Sequence, residues 1–558
     1  MKARFLFVAA SLACAAPAAA LPRHDMVESA DPRAAAIGRD ILRAGGSAAD
    51  AAAAMAIALT ILEPQSTGIG GGGFLVHWSA HDRKLTALDG RESAPAAARP
   101  DRFLDASGKP LPFLNAMIGG RSVGVPGTLR LLEVAHERWG KLPWSRLVEP
   151  AIALAQNGFA LSPRVQALVA KDRFLAKGDA TRALYYNPDG TPKPAGSVIV
   201  NPALAATLRL IAAKGAEAFY HGAIADDIAA AVAGATPPGD LAASDLAAYK
   251  VKDRAVVCAP YRGDRVCGMG LPSGDVPVLE ILGLLGPFDL AHHDADVEAW
   301  HLFAQASRLT YADRARYLGD PDFVASPVEA LLDPAYLADR ARLINPDTAV
   351  PSPVAPGEPE GKRGDLWGDG RAPEFPSTSN MSVIDKDGNA VAMTVTIESD
   401  FGSHVMVRGF LLNNELTDFS FLPENEGRPV ANRVEPGKRP LSAMAPTMMF
   451  GPDGKLRLVV GSAGGPPIIT DVAKVIVAVV DWHDSLSQAI ALPNVDNRNG
   501  PTEIEAFPGS DALASALKAR GHEVRVWGRD SGLGGILVTP EGYEGVADPR
   551  REGAALGD

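Results

Sequence analysis

One stretch of the sequence decides the fold: STSNMSVIDKDGNAVAMTVT, residues 377–396. Two runs rich in β-branched and apolar residues flank an Asp-Gly pair, a pattern typical of a β-hairpin with a tight turn. The hairpin follows a segment dense in Pro, Gly and charge, Pro351–Pro376. Such a composition is typical of a loop or a linker. The sequence therefore predicts a core hairpin entered directly from a poorly ordered segment.

The turn also sets the pairing of the two strands. If Lys386 pairs with Asn389, Thr378 faces Ile397 across the hairpin. Thr396 would then lie on the other face of the sheet, because side chains alternate along a strand. Contact between the two threonines would require a twist or a bulge at the strand end.

Thr378 has two interpretations at this boundary. It can simply begin the strand, as threonine often does. Alternatively, it is an N-terminal nucleophile exposed by cleavage of the Ser377–Thr378 bond, with its own α-amine acting as the base. An α-amine titrates near about pH 8, closer to neutrality than any other base that the sequence places there.

Composition limits the classes of function. The chain has 558 residues, 47% of them hydrophobic, which is ample for a large core of several domains or two interlocked ones. It carries 54 basic and 66 acidic residues, a net charge of −12. An acidic chain without basic blocks is a poor nucleic-acid ligand, because phosphate binding needs clustered Lys and Arg.

Residues 1–20 have the features of a secretory signal peptide. Lys2 and Arg4 precede the apolar run Phe5–Ala13, and Ala18–Ala20 fits a cleavage site. We expect a periplasmic or secreted protein without a membrane segment after signal removal. Cys14 leaves lipoprotein export as an alternative, although the residues before it fit that signal poorly.

Two cysteines remain after signal removal, Cys258 and Cys267, on either side of a turn-rich stretch. They could pair across a hairpin in an oxidising compartment. Two reduced structural thiols are the other interpretation, since sequence does not establish the required geometry.

Three segments resemble known functional motifs but do not fulfil their requirements. Gly68–Gly73 matches a dinucleotide fingerprint, but a helix precedes it and a strand follows, the reverse of that fold. We expect these glycines to permit close packing instead. His292–Asp296 with His301 resembles a metal cluster but fits a solvated turn in which Asp294 or Asp296 caps the next helix. Gly461–Gly465 misses the nucleophile elbow of serine hydrolases by one glycine.

Several segments together resemble the γ-glutamyltranspeptidases (glutathione hydrolases), in matching order over nearly the whole chain. They are residues 70–74, 88–95, 125–128, 311–314, 318–323, 377–383, 401–403, 411–420, 438–442 and 461–465.

The resemblance implies an α/β (α+β) fold, the four-layer αββα sandwich of N-terminal-nucleophile hydrolases. It implies a precursor that cleaves itself into two subunits that stay associated as a heterodimer. Residues 21–377 would form the large subunit, with residues 351–377 as its tail, and residues 378–558 the small catalytic subunit.

The resemblance also assigns roles to residues. Thr378 would be the nucleophile, with Thr396 as its hydrogen-bonding companion. Backbone N–H groups of Gly464 and Gly465 would form the oxyanion hole. The substrate-binding residues would be Arg91 and Ser442 for the α-carboxylate, with Glu398, Glu415 and Asp418 for the α-ammonium.

The implied reaction forms a γ-glutamyl ester of Thr378 from glutathione or a similar amide. The ester passes to water, or to an amino acid or dipeptide acceptor, without a metal or an organic cofactor. Many members have Asn where this chain has Glu398, and a second serine where it has Ala443. The 419–440 segment is also shorter than in members with a lid loop. These departures keep two alternatives open: a cephalosporin (glutaryl) acylase-like amidase, and a processing-dead γ-glutamyl-binding relative.

Overall fold

A computed structural model describes residues 21–359, 366–372, 375, 377–528 and 531–558. The predicted signal peptide, residues 1–20, lies outside the described residues, as does part of the predicted tail, residues 351–377. Within the described ranges, no helix is both long enough and apolar enough to cross a membrane.

The chain forms a mixed helix and sheet fold, as predicted. The helices are α1 (Pro32–Arg43), α2 (Ala48–Leu62), α3 (Phe113–Met117), α4 (Thr128–Trp139), α5 (Trp144–Asn157), α6 (Pro163–Lys171), α7 (Asp179–Tyr185), α8 (Pro202–Lys214), α9 (Glu217–Tyr220), α10 (Ala223–Gly234), α11 (Ala243–Ala248), α12 (Asp275–Leu285), α13 (Val297–Tyr317), α14 (Val328–Leu331), α15 (Pro334–Ala341), α16 (Ile468–Val480), α17 (Leu486–Ala491) and α18 (Ser510–Ala519).

The strands are β1 (Met26–Ser29), β2 (Gly72–Ser79), β3 (Lys84–Gly90), β4 (Phe159–Ala160), β5 (Val198–Ile199), β6 (Lys252–Arg254), β7 (Val256–Tyr261), β8 (Asp264–Met269), β9 (Ser379–Ile384), β10 (Ala390–Thr396), β11 (Met406–Val407), β12 (Phe410–Leu411), β13 (Glu424–Asn425), β14 (Arg428–Pro429), β15 (Thr447–Phe450), β16 (Leu456–Gly461), β17 (Val495–Asn497), β18 (Thr502–Glu505), β19 (Val524–Trp527), β20 (Gly534–Thr539), β21 (Gly542–Ala547) and β22 (Ala554–Gly557).

The predicted hairpin, β9–β10, lies in the middle of a seven-stranded sheet of order β22-β1-β9-β10-β2-β3-β6. Strands from before and after residue 377 alternate in it, because β1 lies between β22 and β9, and β2 borders β10. A second sheet of order β21-β20-β16-β15-β8-β7 contacts the first. Its β15 and β8 also join the two parts of the chain.

Side-chain alternation in the hairpin fills two cores. Met381 and Met393 belong to an apolar cluster that includes helix α2. Ile384 and Ala392 belong to a second cluster, with residues of the other sheet and of α12 and α16. The period of two expected of a strand therefore directs successive residues into different layers.

Helix α2 supports the hairpin from one side. Ser47 and Asp50 form a capping box, in which each side chain accepts from the other residue's N–H. All fifteen residues of α2 are buried, because the helix is apolar on every side rather than on one face.

The pairing predicted for the hairpin is wrong by one residue. Val395 pairs with Ser379, so Thr378 lies opposite Thr396 and not opposite Ile397. The turn has three residues instead of two. The Asp385 carboxylate accepts from the N–H groups of Asp387 and Asn389, and Gly388 alone takes a positive φ of 78°.

Three other expectations can be compared with the structure. Cys258 and Cys267 form a disulfide between directly paired residues of β7 and β8. Asp296, one of the two predicted capping residues, caps α13. Gly71 packs so closely on the Thr396 carbonyl that a Cβ there would overlap it, which confirms that this glycine run permits close packing.

Candidate active site

Thr378 immediately precedes β9 and is 5% exposed. Its hydroxyl donates to the Thr396 hydroxyl, with 3.1 Å between the oxygens. Its φ is +85°, a conformation that is rare for a β-branched residue and costs on the order of 1–3 kcal/mol. The strained backbone therefore adjoins the Ser377–Thr378 bond, at which the family resemblance predicts cleavage.

Thr396 ends β10, directly across the sheet from Thr378. Its hydroxyl oxygen also accepts from the Glu398 N–H at 2.9 Å. The contact between the two threonines needs no bulge, because the three-residue turn brings them to the same face.

Gly464 and Gly465 lie in the loop between β16 and α16, with φ values of 131° and 73° that favour glycine. The Gly464 N–H donates to the Ser377 carbonyl oxygen at 2.8 Å. A backbone donor is therefore aimed at the carbonyl of the Ser377–Thr378 bond. Gly465 lines the cavity that also contains Thr378. We call Thr378, Thr396, Gly464 and Gly465 the nucleophile corner.

Two further hydrogen bonds hold Thr378 and Ser377, the residues that the bond joins. The Arg551 guanidinium donates to the Thr378 carbonyl oxygen at 3.0 Å, and the Ser377 hydroxyl donates to the Gln65 carbonyl oxygen at 3.0 Å. Sequence reasoning did not find Arg551, since an arginine near the carboxyl end carries no local signal.

Arg91 follows β3 and is 1% exposed. One terminal nitrogen pairs with Glu415. The other pairs with Asp418 at 2.5 Å and donates to the Leu441 carbonyl oxygen at 2.8 Å. Glu415 and Asp418 come from a single 3₁₀ turn, which brings both carboxylates to the one guanidinium.

Glu398 lies beside them with a φ of +77°. Its carboxylate accepts from the Asn414 amide at 2.8 Å and from the Ser399 hydroxyl. Burial, and next the Glu415 carboxylate, raise the pKa of Glu398 to about 7, although the hydrogen bonds act in the opposite direction. Ser442 lines the same cavity, and its hydroxyl oxygen accepts from the Met444 N–H at 3.1 Å.

The structure brings the predicted substrate-binding residues into one cavity with Thr378, Thr396 and Gly465. We call Arg91, Glu398, Glu415, Asp418 and Ser442 the acyl pocket. Its other lining residues, which sequence reasoning missed, are Phe375, Ala443, Met444 and Ile468, of which Ala443 had been noted only as a departure.

Glu92 is a further carboxyl that the sequence did not single out. It is fully buried beside Arg91. Burial and the Glu415 carboxylate raise its pKa well above the usual range, whereas Arg91 opposes that shift. Two carboxylates, those of Glu415 and Asp418, thus pair with one guanidinium, so the pocket favours a ligand that brings a positive charge.

The gamma-glutamyltranspeptidase family model matches residues 34–558. The chain belongs to the gamma-glutamyltranspeptidase family. Within this family, the glutathione hydrolase proenzyme of Bacillus subtilis (strain 168) is 37% identical over 555 residues, which cover 96% of this chain and 92% of that protein.

Proteins named as acylases are also similar to this gamma-glutamyltranspeptidase family member. The acylase ACY 1 proenzyme of Pseudomonas sp. (strain SE83) is 33% identical over 551 residues, covering 95% of this chain and 93% of that protein. The crystal structure of cephalosporin acylase from Bacillus halodurans matches with a TM-score of 0.85, at 28% identity over 99% of both chains. The glutathione hydrolase relationship is the stronger of the two, and the pocket residues must decide the substrate.

Proposed function

We propose that this protein is a γ-glutamyltranspeptidase and glutathione hydrolase that cleaves itself at Ser377–Thr378 and uses Thr378 as its nucleophile. The observation that carries the proposal is the Thr378 hydroxyl, hydrogen-bonded to Thr396 at the edge of a cavity that holds Arg91 with two carboxylates. A nucleophile and a site for a zwitterionic acyl group therefore share one cavity.

Self-cleavage begins when the Thr378 hydroxyl oxygen attacks the Ser377 carbonyl carbon. The Gly464 N–H stabilises the negative oxygen that forms, since it already donates to that atom. The C–N bond then breaks, the hydroxyl proton passes to the Thr378 nitrogen, which becomes a free α-amine, and an ester of the Thr378 hydroxyl replaces the amide. Water hydrolyses this ester, releases the Ser377 carboxylate and restores the Thr378 hydroxyl. Rupture of the bond also releases the strain at φ +85°.

Turnover repeats this chemistry on an external amide. The new α-amine accepts the proton of the Thr378 hydroxyl, whose oxygen attacks the γ-carbonyl carbon. N–H groups of Gly464 and Gly465 stabilise the oxyanion, and the amine leaves with a proton. Water or an acceptor amine then attacks the γ-glutamyl ester and regenerates Thr378.

Substrate recognition follows from the charges. A γ-glutamyl group carries one ammonium and one carboxylate, so it can insert between Arg91 and the carboxylates that now pair with it. Its carboxylate would accept from Arg91 and Ser442, as a planar guanidinium favours. Its ammonium would bind Glu415, Asp418 and Glu398.

The organisation of the molecule is part of the proposal. The two stacked sheets, with α2 on one side and α12 and α16 on the other, support a four-layer αββα sandwich. Residues 21–377 and 378–558 would be the two subunits of a heterodimer, after removal of a signal peptide at residues 1–20 and export to the periplasm or medium.

A glutaryl acylase is the second candidate, supported by the likeness to cephalosporin acylase. A glutaryl group has no ammonium, so it would leave the excess carboxylates of the acyl pocket unpaired. This difference favours the γ-glutamyl substrate.

The test compares wild type with Thr378→Ala and, as the matched control, Thr378→Ser. On denaturing gels, wild type should give two fragments and Thr378→Ala a single chain, with the serine variant cleaving slowly because it keeps a hydroxyl. Wild type should hydrolyse a γ-glutamyl anilide and not its glutaryl analogue. An uncleaved, active wild type would disprove the mechanism, and the opposite substrate preference would establish the acylase.

A further inference from the structure

In the uncleaved chain Phe375 lines the cavity of the acyl pocket, and its ring stacks on that of Phe113. The ring of Phe375, which lies two residues before Ser377, packs on the ring of Phe113, with 4.0 Å between centroids and 26° between planes. The Phe375 N–H reaches a Glu398 carboxylate oxygen at 3.4 Å. Phe375 is 45% exposed, so its ring lies at the mouth of the pocket.

Phe113 belongs to the body of the molecule and not to the segment that self-cleavage frees. It begins α3, which contacts the 3₁₀ turn that carries Glu415 and Asp418. Its ring packs on an apolar cluster that includes Leu416 and Phe419. Leu114 beside it is 49% exposed. When the bond after Ser377 breaks and Phe375 moves away, Phe113 and Leu114 remain as an apolar surface.

The inner end of the acyl pocket is closed, because Arg91, Glu415 and Asp418 are all buried. A bound acyl group therefore ends inside the protein. The part of the substrate that extends to the mouth is the amine on the other side of the reacting carbonyl.

We propose that Phe113 and Leu114 form the subsite for the amine portion of the substrate, and that this subsite selects amines carrying an aromatic ring. The proposal rests on the proposed function and adds the class of leaving amine to it. In the uncleaved chain Phe375 occupies the subsite, and its stacking on Phe113 is the geometry that an aromatic amine would reproduce.

The same subsite serves the transfer reaction. An acceptor amine attacks the ester carbonyl from the position that the leaving amine has vacated. Aromatic amino acids should therefore be better acceptors than glycine.

The experiment measures kcat/KM for two donors with the same acyl group, γ-glutamyl-phenylalanine and γ-glutamyl-glycine, on cleaved enzyme. Wild type should prefer the phenylalanine amide by about three- to tenfold, the range expected of one aromatic pair. Phe113→Ala should bring the ratio close to one, Phe113→Tyr should restore it, and Leu343→Ala, at an exposed leucine outside the site, should leave it at the wild-type value.

A wild-type ratio near one would overturn the proposal, as would an equal loss of both activities in Phe113→Ala. Gels establish whether each variant has cleaved itself, and Phe113→Leu replaces the alanine variant if that one does not. The matching pair of glutaryl amides is measured in parallel. If the γ-glutamyl assignment is wrong, both γ-glutamyl donors are inactive and the glutaryl amides are hydrolysed. The ratio of kcat/KM for the phenylalanine and glycine amides of the active acyl group then still measures the selectivity of the amine subsite.

Discussion

The nucleophile corner and the acyl pocket share one cavity but are held in place by different forces. In the nucleophile corner the contacts are hydrogen bonds between neutral groups, from Thr378 to Thr396 and from Gly464 to Ser377. The acyl pocket instead concentrates buried charge, with Arg91 between two carboxylates and Glu398 close by.

Under the proposed function, the difference separates two tasks of one cavity. Self-cleavage would need only the nucleophile corner, since the chain itself supplies the scissile carbonyl. Selection of an external substrate would need the charges of the acyl pocket. Substitutions in the two regions should therefore have separable effects.

Among Thr396→Val, Arg91→Lys and Glu398→Gln, we expect Thr396→Val to reduce activity the most. It removes the hydroxyl that accepts from both Thr378 and the Glu398 N–H, so the nucleophile loses its alignment. We expect self-cleavage and turnover to slow by about 100-fold or more, the scale of loss that follows misplacement of a reacting group. The rate of fragment formation on gels measures the first, and Thr396→Ser is the control that keeps the hydroxyl. Normal cleavage in the valine variant would show that Thr396 has no part in the corner.

Arg91→Lys should affect only the acyl pocket. Lysine keeps the charge but loses the fork that reaches Glu415 and Asp418 together. We expect KM for a γ-glutamyl anilide to rise about 10- to 100-fold, the cost of one or two charge-assisted hydrogen bonds. Self-cleavage should continue at the wild-type rate. If cleavage is lost as well, Arg91 has a structural role and the two regions are not separable.

Glu398→Gln should have the smallest effect and should change the pH dependence. The pKa of Glu398 is raised to about 7, so its carboxylate is protonated below that pH and charged above it. In wild type, KM for the γ-glutamyl substrate should fall by on the order of fivefold as the pH rises through 7, as the ammonium gains a charged partner. The glutamine variant should lack this change.

The pH dependence of the stability of the protein with Glu398 and of its Glu398→Gln variant provides a control. Because the folded-state pKa of Glu398 lies above its unfolded value, its contribution to stability is complete at low pH. That contribution is lost as the pH rises from about 4.5 to 7. In the uncleaved Thr378→Ala chain, where unfolding should be reversible, thermal midpoints with and without Glu398→Gln should therefore diverge across this window, and the protein that keeps Glu398 should lose stability relative to the glutamine variant. Parallel curves would mean that Glu398 titrates normally.

The sequence predicted much of the framework because local patterns specify it. Ser47 and Asp50 have the spacing of a capping box at the start of α2. The alternation in residues 377–396 specifies a hairpin, and Asp296 caps α13. The register failed because the Asp385 side chain converts a two-residue turn into a three-residue one. That choice depends on side-chain hydrogen bonds and not on the residue types at the turn alone.

Only some residues of the candidate site could be predicted, because the others depend on contacts between distant parts of the chain. Thr378 and the acyl-pocket residues were found through the family resemblance. Arg551 and the Phe113–Phe375 pair carry no motif, and Glu92 lies in a matching segment without an assigned role. All of them act through contacts across more than 100 residues of chain, so only the folded structure reveals them.

The alternation of strands in the seven-stranded sheet has a consequence for the lifetime of the enzyme. Before cleavage, one covalent chain threads β1 between β22 and β9 and places β2 beside β10. After cleavage, the same sheet would have to be rebuilt from two separate polypeptides. Strand β1 of one polypeptide pairs only with β22 and β9 of the other.

If the chain cleaves itself as proposed, unfolding of the cut molecule should thus be irreversible, since its two fragments would have to refold together without the covalent connection of the precursor. The mature protein would persist through a high barrier to unfolding and not through equilibrium with its unfolded parts. Heating and cooling should restore the uncleaved Thr378→Ala chain and leave the cleaved enzyme inactive.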